Sequence, residues 1–471
     1  MIHRLVWGVS VTTSDRSATR SRATAESSAD AADGRRARQR APRRGAAHWD
    51  PAVRHVSALQ RLRAQEAVRD PQLLPLRYAR MASSEWAYLR GAAAVMAADL
   101  ASAPHSGLQV QMCGDAHILN FGLWASPERQ LLFDARDFDE TLPGPFEWDL
   151  KRLATSIYVI ADSEGVPVSS ASAAAHAAIE SYRVAMARYS EMGELDVWYD
   201  HITSEVPLAS LSSTFKKEMA RTIAKESKNR SHEGVARKLL VEENGHKRIS
   251  LEPLKRLAES VPEEDRARGY EQLFDTYLAS IPVHLQRLVQ RFELVETVQQ
   301  VVGVGSVGMR VWLHLMEGDS GRQPVFFQAK QATASVYEEF LGPSEFENSG
   351  QRVVVGQRLL QSASDIFLGH MRFNNEDYYA RQFRDMKIIP NGPQVAGCLP
   401  QFAAVCGQAL AKAHARSGDP QAIAGYIGEG TAFTAGIDGF AKAYARQTHD
   451  DHAALRESIG SGAVIAAERA W

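Results

Sequence analysis

The sequence predicts an α+β protein: a mostly helical body broken by a short β hairpin near residue 115, with a β-rich domain over residues 293–395. Three observations predict it. Long segments such as "WDLKRLATSIYVIADSEG" and "SSASAAAHAAIESYRVAMARYSEM" space their apolar residues at helical period. From Leu294 the texture changes, and "VETVQQVVGVGSVGMRVWLHLMEG" and "QPVFFQAKQA" are β-branched and punctuated by glycine. Helical patterning then returns at "FAAVCGQALAKAHARSG". With 471 residues, 45% of them hydrophobic and 23% charged, the chain can build a large core.

The elements divide the chain into four parts. Residues 1–50, rich in Arg, Ser and Ala and poor in large apolar groups, are expected to be a disordered tail. Its arginines Arg35, Arg36, Arg38, Arg40, Arg43 and Arg44 read as a solvated face. Residues 51–292 form a helical domain around the hairpin. Residues 293–395 form the β-rich domain, and 396–471 are helices that return to the first domain. The net charge of −2 calls for neither nucleic acid nor an anionic membrane as partner. Three cysteines cannot build a disulfide framework, and no apolar run spans a bilayer, so a cytoplasmic protein is expected.

The chemistry concentrates at two places. In "MCGDAHILNFG", Asp115 and Asn120 stand five positions apart, the interval at which a kinase catalytic loop aims a carboxylate at a hydroxyl and returns an asparagine to a metal. Asp134, Asp137 and Asp139 follow in "LLFDARDFDE"; packed carboxylates repel unless a cation sits among them, and Mg²⁺ favours such oxygen ligands, with Mn²⁺ as a substitute. The competing explanation is a solvated hairpin with Asx turns. His117 is expected either to join Asp115 as a catalytic group that touches phosphate or metal, or only to pack or hydrogen-bond within the loop.

The second place is Gly303-x-Gly305-Ser306-x-Gly308. It lies between strands, which disfavours a dinucleotide fingerprint and favours a glycine flap over nucleotide phosphates. Lys330, on the next strand, is expected to hold those phosphates. An acid on the following helix, from among Glu338, Glu339, Glu345 and Glu347, would hold the lysine. Arg77, Arg80 and Arg90 precede the loop and are expected to form helix salt bridges with acids such as Glu85, or else to bind an anionic substrate, and Arg381, Gln382, Asp385 and Lys387 form a polar set suited to a cleft.

"GDAHILNFG", "DFDETLPGPFEWDLKRLATS", "GQRLLQSASDIFLG" and "YYARQFRDMK" resemble a bacterial family known only as domain of unknown function 2252, over most of the chain after residue 50. More distantly, "CGDAHILN…DFDETLPGPFEWDL" is similar to the core of aminoglycoside phosphotransferases within the protein kinase-like superfamily. That resemblance implies a two-lobed kinase-like fold using ATP and Mg²⁺. Asp115 would be the base and Asn120 and Asp137 the metal ligands, with Asp139 beside them. Asp149 would be a structural aspartate opening a helix, and Asp134 is left as support. Cys113 stands where those kinases have histidine, and Asp139 where protein kinases have glycine. The order is also inverted, with the catalytic loop before the glycine flap, which implies a circular permutation. The expected activity is transfer of a phosphoryl group to a hydroxyl-bearing acceptor. A nucleotide-binding regulatory module and a metal-dependent phosphoesterase, suggested by the Asp115-x-His117 pair, are the alternatives.

Overall fold

The computed structural model describes residues 30–209, 213–229, 231–243, 245–250, 256–258, 273–301, 303–318, 324–383 and 386–468. Helix α1 (30–40) and the short helix α2 (Glu85–Gly91) precede β1 (Gln109–Met112). The hairpin β2 (Phe121–Ala125) and β3 (Leu131–Ala135) follows, and β4 (Leu142–Pro145) pairs back on β1.

Helix α3 (Phe146–Ser163) runs through the centre of the body and is buried almost throughout. Glu147 and Asp149 in its first turn favour the positive end of the helix dipole. At its other end Val166 N–H donates to the Ala161 carbonyl and Gly165 N–H to that of Asp162, a Schellman arrangement with Gly165 at positive φ. Helix α4 (Val168–Tyr189) packs alongside.

The helical expectation to residue 291 is interrupted. Strands β5 (Leu240–Glu243) and β6 (His246–Ile249) form a hairpin, and β7 (Arg256–Ala258) joins the large sheet. That sheet is entirely antiparallel in the order β11-β12-β10-β9-β8-β7. Its other strands are β8 (Phe292–Gln300), β9 (Val311–Gly318), β10 (Pro324–Ala332), β11 (Gly369–Phe373) and β12 (Glu376–Gln382). Strand alternation sends neighbouring residues to opposite faces. Phe327 packs with Tyr277, Phe367 and Met371, while Phe326 packs with Leu313, Leu315 and Phe383. Gln328 and Lys330 share the parity of Phe326.

Helix α5 (Ser349–Leu360) bridges β10 and β11. The chain ends in α6 (Leu399–Ala415), α7 (Pro420–Ile427) and α8 (Thr431–Gly460), which pack on α3 and α4 in the main core. Among the described residues no helix is long and apolar enough to cross a membrane.

The N-terminal region departs from the expected tail. Residues 1–29 lie outside the described residues, but 30–47 are helical and packed, with Ala37, Ala41 and Ala46 buried. Arg38 Nε donates to the Tyr426 carbonyl (2.9 Å) and Arg43 Nη1 to that of Ile427 (2.7 Å). Two arginines of the expected solvated face therefore cap the last turn of α7, where cations suit the helix dipole.

Candidate functional site

The loop between β1 and β2 is fastened from below by α3. Asp149 accepts the N–H groups of Cys113 (2.6 Å) and Gly114 (3.0 Å), and also meets His414 Nε2 (3.2 Å). Gly114 has φ +85°, and a Cβ there would lie 2.2 Å from the Glu140 carbonyl oxygen, so only glycine fits. Arg152 Nε donates to Asp115 Oδ1 (2.8 Å), and Ser156 Oγ accepts from Ile118 N–H (2.8 Å). Asp149, Arg152 and Ser156 form one helical stripe, at i, i+3 and i+7.

Within the loop, the Asp115 carbonyl accepts from His117 N–H (2.8 Å) and Asn120 Nδ2 (2.6 Å). That bond orients the amide of Asn120 and leaves its Oδ1 buried with no hydrogen-bond partner among the described residues; His117 Nδ1 is in the same state. Burial, then Arg90, Arg152 and Arg136, push His117 far below the usual histidine range, so its ring is neutral. Burial raises the Asp115 carboxyl, with Arg152 opposing the shift. Trp86 presents its ring edge-on to His117 at 5.3 Å between centroids.

The carboxylates of the hairpin have three different fates. Asp134 is wholly buried and ion-paired with Lys412, and it also accepts from Ser362 N–H (3.0 Å), which makes it a packing element. Burial pushes Asp137 up, but Lys330, Arg136, Arg381 and Lys387 outweigh it and hold the carboxyl ionised, below its ordinary range. Asp139 is ion-paired with Lys330 and accepts from Tyr379 Oη (2.7 Å). It was expected beside Asn120 and Asp137 as a metal ligand, and its oxygens are instead occupied by these two partners. None of the four expected glutamates holds Lys330. Glu339 pairs with Arg61, and Glu338 accepts from Ser335 N–H.

The two chemical stretches meet. A cavity of about 340 Å³ is lined by Asp115, His117, Arg136 and Asp137 from the loop and hairpin, and by Gly303, Gly305 and Ser306. Gln328 and Lys330 from β10 line it too, with Gln357 and Gln361 from α5 and its end. Arg381 and Gln382 come from β12, opposite Gln328 and Phe327 of β10, and Lys387 arrives where Leu123 and Ile388 exchange backbone hydrogen bonds (2.9 and 2.7 Å), drawing the segment after β12 onto the hairpin. Gly308 does not line this cavity. Its φ is +88°, its carbonyl accepts from Asp70 N–H (2.8 Å), and it faces Arg69 in a neighbouring cleft.

Among the lining residues five basic side chains, Arg90, Arg136, Lys330, Arg381 and Lys387, stand against three carboxylates, Asp115, Asp137 and Asp365, and burial, then Arg381 and Arg136, push Lys387 well below the usual lysine range. That balance suits a polyanionic ligand. Of the three arginines before the loop, for which anion binding was the alternative to helix salt bridges, Arg90 reaches the cavity from α2. Arg77 is buried on Gln65 and the Gly91 carbonyl. Asp385 lies outside the described residues. Arg136 carried no expectation, although it sits inside "DARDFD". Arg152 and Ser156 carried none either; counting helical turns from Asp149 would have found both.

Among the described residues no three His, Cys, Asp or Glu side chains gather into a metal-ligating cluster. Of the oxygens suited to a hard cation, the Asp137 carboxylate lines the cavity, while Asn120 does not: its unpartnered Oδ1 is buried just behind, where its own carbonyl accepts from Arg136 N–H (3.0 Å) next to Asp137, and Mg²⁺ takes so sparse a set only when phosphates and water complete its shell.

In comparisons with known proteins, residues 69–458 match the family model described as "Uncharacterized protein conserved in bacteria (DUF2252)". No curated protein and no solved structure matches the chain.

Proposed function

The chain belongs to that family of uncharacterized bacterial proteins, and, since the description assigns no reaction, we propose from the site itself that it is an ATP- and Mg²⁺-dependent phosphotransferase with a circularly permuted kinase-like architecture. The acceptor is a hydroxyl-bearing compound, in this reading a small molecule. One observation carries the proposal. Asp115 and Asp137 share a single cavity with Gly303, Gly305, Ser306 and Lys330, which lie some two hundred positions later in the chain.

In the proposed reaction the acceptor oxygen bonds to the γ-phosphorus and the bond from that phosphorus to the β-phosphate oxygen breaks, releasing ADP. The hydroxyl proton passes to Asp115. Arg152 orients that carboxylate through its 2.8 Å bond and α3 anchors the whole loop, so the base is positioned before substrate arrives. Lys330 and the backbone of residues 303–306 hold the phosphates. Arg136, Arg381 and Lys387 offset the charge that spreads over the moving phosphoryl group. Mg²⁺, or Mn²⁺ in its place, would be held by Asn120 and Asp137 and would neutralise phosphate charge there. The same Asp115–Arg152 ion pair favours a second reading, a nucleotide-binding regulatory module, because it gives the carboxylate a partner that must share it with an acceptor.

The test is thermal unfolding with nucleotide. A ligand at 100 times its Kd stabilises the native state by about 2.7 kcal/mol. ATP with Mg²⁺ raises the Tm of the wild type, and Asp137→Ala loses most of that rise. Equal shifts in the two proteins remove Asp137 from the site, and no shift in either removes the nucleotide. ATP turnover separates the enzyme from the regulatory module.

A further inference from the structure

Lys330 takes its acid from an unexpected direction. The short helix after β10 (Glu338–Leu341) carries two of the expected acids, but Glu338 turns to Arg352 of α5 (3.6 Å) and Glu339 to Arg61. Arg352 Nη2 donates to the Asp139 and Thr333 carbonyls (2.8 Å each) and its Nη1 to that of Thr141 (2.6 Å). Arg352 therefore fixes the backbone of the segment that carries Asp139. Tyr379 stands directly across the sheet from Lys330 in register, and its hydroxyl holds the other oxygen of Asp139. Both carboxylate oxygens are thereby aimed, one at the strand lysine and one at its cross-strand neighbour.

We propose that Asp139 is the positioning residue for Lys330, held in place by Arg352 and Tyr379, and that it does not ligate the metal. The inference rests on the phosphotransferase reading and adds its internal wiring. Asp137 and Asp139 belong to one short segment, so the carboxylate offered to the metal and the acid that aims the lysine move together. In such a site the metal side and the phosphate side are coupled through two bonds of sequence, with no swinging helix between them. A side chain with this role acts through Lys330, and removing it disturbs phosphate placement while leaving the response to metal intact.

Calorimetric binding of a non-hydrolysable ATP analogue to the full chain, with EDTA and with Mn²⁺, separates the two roles. Asp139→Asn, which keeps the shape, should retain the wild-type ratio of the two affinities within about twofold, while Asp137→Asn should bring that ratio close to one. Lys330→Met leaves Asp139 uncompensated beside the phosphates. Adding Asp139→Asn to it should therefore recover at least about fivefold in affinity in EDTA, because residues in contact are not additive. Tyr379→Phe, which removes one hydroxyl, provides a milder variant should Asp139→Asn fold poorly, and it too should leave the metal ratio unchanged. Loss of the metal response in Asp139→Asn or Tyr379→Phe, or simple additivity with Lys330→Met, overturns the inference while the phosphotransferase reading stands. Absence of analogue binding to the wild type, with or without metal, overturns both.

Discussion

Asp115→Asn should bind nucleotide as the wild type does and transfer phosphate about 10²- to 10⁴-fold more slowly, the range that removal of a general base produces. The amide can still accept from Arg152 Nε, now 2.8 Å from Asp115 Oδ1, so the loop has no reason to rearrange. What it loses is the capacity to take a proton. Burial raises the Asp115 carboxyl, and that shift brings its basicity closer to what proton abstraction from an acceptor requires. Initial rates of ADP release, measured beside nucleotide affinity, check the split. A variant that turns over at the wild-type rate takes the base role away from Asp115.

Asp149→Ala should lower stability by about 3–5 kcal/mol, the cost of removing one partner from a buried, charge-assisted network. Asp149 is almost wholly buried, and its two oxygens satisfy the N–H groups of Cys113 and Gly114 and face His414 from α6. Alanine leaves both amides without an acceptor at the point where Gly114 turns through positive φ. The loop that presents Asp115 then keeps only Arg152 and Ser156 of its three anchors on α3. The urea midpoint should fall and nucleotide binding should weaken with it. A midpoint within experimental scatter of the wild type means that the loop is held by something other than Asp149.

The sequence made part of this site legible because some of its geometry is local. Asp115 and Asn120 are tied by a loop of six residues, and the amide of Asn120 returns to the carbonyl of Asp115 within that loop. Alternation along "VFFQAKQA" places Gln328 and Lys330 on the same side as Phe326, so a lysine on the cavity face follows from the pleat alone. The glycines at 303 and 305 stand out against β-branched neighbours.

The pairings between distant segments were not legible. Lys330 and Asp139 are 191 positions apart, and several glutamates close to the lysine in sequence were equally suitable acids by residue type. Tertiary structure chose between them when Arg352 drew the Asp139 backbone to the end of β10. The N-terminal region misled for a different reason. Its small residues have little hydrophobic surface, but Gly34 and Gly425 let α1 and α7 approach closely, a Cβ at Gly34 lying 1.9 Å from the Ala422 carbonyl oxygen, and Arg38 and Arg43 supply the caps that apolar surface does not. The β5–β6 hairpin hides in a charged stretch whose Asn-Gly dipeptide was the one sign of a turn.

The claim on which the rest depends is that one nucleotide touches both halves of the cavity at once. Hydrogen–deuterium exchange on the full chain, with and without a non-hydrolysable ATP analogue and Mg²⁺, tests it most directly. Peptides covering residues 113–120 and 135–139 should gain protection together with those covering 303–308 and 328–332, at the same nucleotide concentration. Protection confined to one of the two sets, or absent from both, contradicts the account.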